Sequence, residues 1–243
     1  MQDNPPSVLV TGGSRGIGKA LVSYYLAQGY QVFATTSSAD SAAKAKTEQP
    51  EVEWFYGNFA NPQAVDKLGQ QLSRYQFDIV IHNVGVQIVR QLFAEADTTP
   101  SPEAELNTNL GAAIQLTTHL LPVTRQHMCF ISSGLAIAPK QSAPVYCAAK
   151  AGLRTFTRCL RKQAESHPDA PFISEAIMDL VATDMTRDRI QQKKMMLTPN
   201  SAAEQVARGI KKRQPEIRVG KVKALMKLRT LFPNLIENML IAK

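Results

Sequence analysis

Apolar residues in this chain fall into short unbroken runs, separated by longer stretches in which they recur at helical spacing. Ser7-Val8-Leu9-Val10 is the first run, and Ile17 to Gln28 is the first helical stretch. An unbroken apolar run leaves no face for solvent, so it predicts a strand covered on both sides. Further strands are predicted at Gln31 to Thr35, Glu51 to Tyr56, Asp78 to His82, His127 to Ser132, Phe172 to Ile177 and Glu216 to Val219. Helices are predicted for Ala39 to Glu48, Pro62 to Gln76, Glu103 to Leu120 and Val145 to Ser166. Strands alternating with helix-length segments predict an α/β domain over 1-243, with a mostly parallel sheet flanked by helices on both faces. No internal repeat, low-complexity tract or linker divides it.

Ligands of such sheets bind beyond the carboxyl ends of the strands. The turn after Val10 and the loops after His82 and Ser132 should therefore open on one crevice, and the polar residues with chemical capacity fall on those loops.

Composition changes this picture in only one place. A length of 243 residues with 44% hydrophobic content is enough for a substantial core. The formal charge of +8 comes from the carboxyl end, because residues 208 to 243 contain 10 basic and 2 acidic side chains while the rest is balanced. That distribution argues against a uniformly basic nucleic-acid-binding surface, and it leaves a local contact with an acidic partner, a phosphate-bearing substrate or an anionic membrane. The first residues, Met1-Gln2-Asp3-Asn4-Pro5-Pro6, contain no basic region followed by an apolar run, and no later stretch reaches membrane-spanning length, which predicts a cytoplasmic protein. Cys129, Cys147 and Cys159 are odd in number and widely spaced, so neither a metal site nor a disulfide framework is expected.

Two groups of residues carry candidate chemistry. Thr11-Gly12-Gly13-Ser14-Arg15-Gly16-Ile17-Gly18 joins the first strand to the first helix. Small residues there let backbone amides approach a pyrophosphate while the helix offers its positive end, although a glycine turn can also be purely structural. Tyr146 and Lys150 lie four apart on one helix face, 13 residues beyond Ser133 at a strand end. An ammonium beside a phenol stabilises the phenolate and eases transfer of its proton. Such a pair is often structural when it stands alone, and Ser133 adds a second hydroxyl at the same crevice.

The Thr-Gly-x-x-x-Gly-x-Gly spacing, Asn83-Val84-Gly85, Ser133 and Tyr146-x-x-x-Lys150, in that order, resemble the short-chain dehydrogenase/reductase family from Val8 to about Val219. The resemblance implies a Rossmann-like doubly wound fold and an oxidoreductase that binds NADP(H). It implies that Gly12, Ser14, Arg15, Gly16, Ile17 and Gly18 hold the cofactor phosphates, with Asn58 and Phe59 on the adenine side and Asn83 and Gly85 in a further cofactor loop. Val181 and Thr183 match positions near the carboxamide and phosphates. No acid follows the second strand, which reads Ala34-Thr35-Thr36-Ser37-Ser38, so Arg15 and Ser37 are expected to meet a ribose phosphate and favour NADPH; Arg15 could otherwise be a solvent-facing turn residue.

The same resemblance makes Asn109, Ser133, Tyr146 and Lys150 the catalytic residues. Ser133 polarises the substrate oxygen, Tyr146 exchanges its proton, Lys150 supports Tyr146 and contacts the nicotinamide ribose, and Asn109 helps hold a water in the proton relay. Read without the family, Asn109 could also be a satisfied core amide. The implied reaction is reduction of a ketone or aldehyde to an alcohol, on a small-molecule or acyl-carrier-linked substrate, by a homodimer or homotetramer.

The chain departs from the family pattern at several points. His82 and Val84 replace a common Asn and Ala, and His82 reads as structural. Asp179 stands where relatives carry a glycine before Val181-Ala182-Thr183, which keeps open an alternative function as a non-catalytic NADP(H)-binding sensor or scaffold. Residues 186-197 read as a mobile substrate cap. Residues 221-243 read as a basic amphipathic extension that packs on its own domain, on a second subunit or peripherally on a membrane.

Overall fold

In the computed structural model, which describes residues 5–93, 100–186, 196–235 and 238, the apolar runs pair into one seven-stranded sheet. The chain runs β1 (Ser7–Val10), α1 (Gly16–Ala27), β2 (Gln31–Thr36), α2 (Ala39–Glu48), β3 (Glu53–Tyr56), α3 (Pro62–Leu72) and β4 (Phe77–His82). It continues through α4 (Pro102–Leu106), α5 (Ala112–Leu120), β5 (Thr124–Ser133), α6 (Pro144–Ala164), β6 (Phe172–Met178), α7 (Pro199–Lys211), β7 (Glu216–Arg218) and α8 (Val222–Leu231). The spatial order is β3-β2-β1-β4-β5-β6-β7, and every pairing is parallel. The direction of winding reverses between β1 and β4, so their carboxyl ends diverge into a crevice.

Alternation along the strands divides the core. Val8, Val10, Val32, Ile81 and Ile131 face α1 and α7, where they meet Leu21, Val206 and Ile210. Leu9, Phe33, Val80, Met128 and Phe130 face α3, α5 and α6, where they meet Leu68, Leu116 and Leu153. Both faces are buried, which is why the strands read as continuous apolar runs.

Several boundaries differ from the sequence reading. The predicted Pro62–Gln76 helix stops at Leu72, and turns that return Arg74 N–H to Gln71 and Tyr75 N–H to Leu72 feed the chain into β4. The predicted Glu103–Leu120 helix begins at Pro102 and is interrupted by a π turn over Asn107–Gly111. Helix α7 was not predicted at all. Its buried stripe of Ala202, Ala203, Val206, Ala207 and Ile210 does recur at helical spacing, Thr198 caps it by accepting Ser201 N–H and Pro199 opens it, so the signal was present and missed.

A buried polar clamp fixes α6 against the edge of the sheet. Glu175, fully buried on β6, accepts from Ser132 Oγ at 2.5 Å and from Arg154 at 2.6 Å, and Arg154 also reaches Glu216 on β7 at 2.9 Å. Arg161 donates to the Ile173 carbonyl one strand-end away at 2.9 Å. Since breaking a buried pair strands an uncompensated charge, this clamp holds α6 in one register on the sheet. The amino-terminal half of α6 is thereby placed over the crevice.

Candidate active site

The glycine turn is held by its neighbours rather than by the strands alone. Gly12 N–H donates to Thr35 Oγ1 at 3.0 Å and Gly13 N–H to the Thr35 carbonyl at 2.9 Å. The Asn83 carboxamide donates to the carbonyls of Thr11 and Gly12 at 3.0 and 3.2 Å, which ties the loop after β4 to the loop after β1. Gly18 is required sterically, because a Cβ there would lie 1.9 Å from the Gly12 carbonyl oxygen. Gly12 and Gly16 have φ of +69° and +54°, the left-handed region that favours glycine. With no acid in its first turn, α1 points its positive end into the crevice. This bare backbone cradle, with Ser14, Arg15 and Ser37 at its rim, fits a phosphate-bearing dinucleotide.

The crevice is a cavity of about 850 Å³. All of the residues assigned from the sequence to a cofactor reach its wall: Gly12, Ser14, Arg15, Gly16, Ile17, Gly18, Ser37, Asn58, Phe59, Asn83, Gly85, Tyr146, Lys150, Val181 and Thr183. Ser133 reaches it too. Asn58 shapes its own loop by accepting Ala60 N–H at 3.0 Å, and Thr183 packs against the position a Gly16 Cβ would take, at 3.2 Å.

Ser133, Tyr146 and Lys150 converge from two elements. Ser133 ends β5, and its Oγ accepts Leu135 N–H at 3.1 Å, so the hydroxyl is oriented with its own proton to donate. The Tyr146 ring is buried on α6, and Lys150 Nζ lies 5.8 Å from the ring centroid. Lys150 is only 3% exposed and donates to the Ile131 carbonyl at 3.0 Å. Burial lowers its pKa to about 8. Ser132, whose Oγ is committed to Glu175 on the other side of β5, has no such orientation.

Asn109 lies behind the wall. Its carboxamide accepts Val86 N–H at 3.0 Å and donates to the carbonyls of Val86 and Glu105 at 2.8 and 2.9 Å. Its Oδ1 would lie 3.0 Å from a Cβ on Gly85, where Lys150 Nζ would also come within 3.3 Å. His82 is buried, stacked on Phe130 with centroids 4.7 Å apart, and its pKa is lowered to about 3 by desolvation, so it is a neutral packing residue.

Three features of the site were not read from the sequence. Arg90 and Glu105 form a buried ion pair at 3.0 Å, and Glu105 also accepts Ile88 N–H at 3.1 Å, which pins the segment after Gly85 along the crevice. Their 15-residue separation and loop context gave no signal beyond two ordinary charges. Asp179 is turned away from strain: among the described residues Arg213 is the one non-glycine with positive φ. Its carboxylate accepts Leu180 N–H at 2.8 Å and Lys221 N–H at 2.9 Å, the latter at the start of α8. Gly220 makes room for it, with φ +66° and a Cβ position 2.8 Å from both Asp179 Cβ and Oδ2. Third, α8 is part of the cavity, contributing Val222 and Leu225, with Lys221 at its N-cap, beside Gly134 and Met185.

Of the expected cap over 186–197, residues 187–195, including Arg187, Asp188, Arg189 and Met195, lie outside the described residues; Leu197 bridges to Val181. Of the carboxyl-terminal extension, 236, 237 and 239–243 lie outside them as well. Among the described residues no helix is long and apolar enough to cross a membrane.

A family model described as short chain dehydrogenase matches residues 6–194. The chain is 31% identical over 170 residues to an uncharacterized oxidoreductase, DltE, of Bacillus subtilis, a match spanning 65% of each chain. It is 30% identical over 220 residues to a fatty acyl-CoA reductase of Acinetobacter baylyi, spanning 86% of this chain and 74% of the other. Among solved structures, a short chain dehydrogenase from Burkholderia cenocepacia in complex with NADP superimposes with a TM-score of 0.83 at 19% identity, covering 99% of both chains. That likeness extends the shared fold through the carboxyl-terminal elements.

Proposed function

The chain belongs to the short-chain dehydrogenase family, and we propose that it is an NADPH-dependent reductase of a ketone or aldehyde in which Tyr146 delivers the proton. The observation that carries this reading is the convergence of Ser133, Tyr146 and Lys150 on the same cavity as the glycine cradle. The NADP complex of the Burkholderia protein and the reductase name of the Acinetobacter protein support it.

The residues fit the cofactor at both ends. Arg15 and Ser37, with no acid at the end of β2, suit a ribose phosphate, and Lys150 suits the nicotinamide ribose. Bound there, NADPH supplies the hydride. The protein's work is on the oxygen. The Ser133 O–H and the Tyr146 phenol donate to the carbonyl oxygen as negative charge develops on it, and preorganised donors act best on charge that appears only in the transition state. Tyr146 then gives up its proton, the Lys150 ammonium stabilises the phenolate left behind, and Asn109 positions the Gly85–Val86 segment against which this group rests. A homodimer or homotetramer acting in the cytoplasm on a small-molecule or acyl-carrier-linked carbonyl completes the reading, with α8 as the element for any membrane contact.

Asp179 motivated the alternative of a non-catalytic sensor. Both of its carboxylate oxygens are engaged by backbone N–H groups, so it holds the cavity wall in place, and the geometry supports activity. The test is oxidation of NADPH and NADH across a broad carbonyl panel with Tyr146→Phe as control. NADPH-preferring turnover lost in Tyr146→Phe is expected; tight NADPH binding with no turnover on any carbonyl would favour the sensor.

A further inference from the structure

We propose that α8 docks on an anionic lipid bilayer with the substrate end of the cavity turned toward it, so that an apolar carbonyl substrate enters from the lipid. The clause about substrate rests on the reductase reading; the docking surface does not.

Helix α8 has one apolar stripe, recurring every three residues, whose first half is packed and whose second half is exposed. Val222 is buried and Leu225 lines the cavity, its Cδ2 3.3 Å from a Cβ position on Gly134, immediately after Ser133. Leu228 and Leu231 face outward at 45% and 68% exposure, and the chain beyond them adds Phe232 at 53% and Leu235 at 63%. Met185, on the turn that borders the same cavity, is 43% exposed. Several large apolar side chains left exposed beside a cavity mouth point to an interaction site.

Charge selects the occupant. Lys221, Lys223 and Lys227 are exposed on or beside this helix, and no acid occurs between Glu216 and Glu237. Basic residues flanking an apolar stripe on a short helix match the interface of an anionic bilayer. A twofold contact between copies of α8 would instead bring these cations together with no acid on the helix to pair them. Elsewhere in the carboxyl-terminal excess, Lys211, Lys212 and Arg213 do not compete for this role, because they precede β7 and lie at the opposite end of the parallel sheet from the cavity. The anchor between Asp179 and Lys221 makes the helix a fixed platform, so docking orients the cavity as well as the helix.

The experiment is flotation of the full chain with vesicles of phosphatidylcholine alone or with phosphatidylglycerol added, without cofactor. Association with the phosphatidylglycerol vesicles only, released by salt, is expected. Lys223→Glu with Lys227→Glu should weaken it by about thirtyfold or more, from roughly a fivefold effect per surface lysine. Leu228→Ser with Leu231→Ser should also reduce it. Absence of association at low salt, or equal association of the lysine variant, overturns the proposal, as does a leucine variant whose one effect is to turn an oligomer into a monomer. For entry, a long-chain aldehyde in phosphatidylglycerol vesicles should be turned over more slowly by the lysine variant, with a short soluble aldehyde unaffected. Equal rates on the long-chain aldehyde overturn the entry clause, whereas no turnover of either aldehyde by any form counts against the reductase reading and leaves flotation to decide docking.

Discussion

Replacing Lys150 by methionine should make the cofactor-free protein more stable while removing its activity. Lys150 is 3% exposed and its pKa falls from 10.5 to about 8 because burial disfavours the ammonium. Below pH 8 the folded chain carries a charge that the unfolded chain would hydrate freely, and the shift corresponds to a penalty of about 3 kcal/mol at roughly 1.4 kcal/mol per unit. Between pH 8 and 10.5 the unfolded state binds more protons than the folded one, so stability rises with pH and the penalty fades to about 1 kcal/mol near pH 10. Methionine keeps most of the volume and no charge. It forfeits the hydrogen bond to the Ile131 carbonyl, about 1 kcal/mol. The balance is about 2 kcal/mol in favour of Lys150→Met at pH 7 and close to zero at pH 10. Urea denaturation of both proteins at the two pH values measures it. A methionine variant less stable than the parent at pH 7, or an advantage that does not shrink by pH 10, would refute the account of Lys150 as a desolvated ammonium. Turnover should meanwhile drop by about a hundredfold or more, the usual worth of a proton-transfer group.

Three further outcomes follow from the site. Gly18→Ala places a methyl 1.9 Å from the Gly12 carbonyl, a backbone atom that cannot swing aside, so NADPH affinity should fall by about a hundredfold in a fluorescence titration; wild-type affinity would show that the turn is not closed in this way. Glu105→Gln leaves Arg90 buried without its counter-charge and should cost about 3–5 kcal/mol in urea denaturation, and a loss below about 1 kcal/mol would mean that the pair is not the anchor of its segment. Ser37→Asp puts an anion where the ribose phosphate is proposed to sit and should lower the NADPH-to-NADH preference in kcat/KM by about tenfold or more, and an unchanged ratio would place that phosphate elsewhere.

The strands were legible because burial on both faces makes them unbroken apolar runs, and β1, β2 and β4 start and stop within one or two residues of expectation. Family membership and the NADP-bound solved relative agree with the Rossmann-like reading. Helix α7 was legible but missed, since Ala202, Val206, Gly209 and Ile210 recur at helical spacing behind a Thr198-Pro199 start. Gly12, Ser37, Asn83, Gly85 and Ser133 could be named because they sit at or just beyond strand ends, where sequence position and spatial position coincide, whereas Tyr146 and Lys150 on α6 were named from their spacing and the family resemblance. Asn109 shows the limit of that logic, since the family resemblance singled it out but could not reveal that its carboxamide bonds Val86 and Glu105. Arg90 with Glu105, and Asp179 with Lys221, depend on contacts between segments far apart in the chain, and no local pattern encodes such a pairing.

The Asp179 and Gly220 arrangement makes two distant positions interchange size. The side chain absent at 220 is what leaves space for the one present at 179, and the carboxylate that fills it holds the helix that follows. Neither substitution is neutral alone. A side chain introduced at 220 meets Asp179 within 2.8 Å, and a glycine introduced at 179 leaves Lys221 N–H without its acceptor. Drift across a fitness landscape should therefore move the two together, and a designer grafting α8 onto another scaffold of this fold has to transplant both as one module.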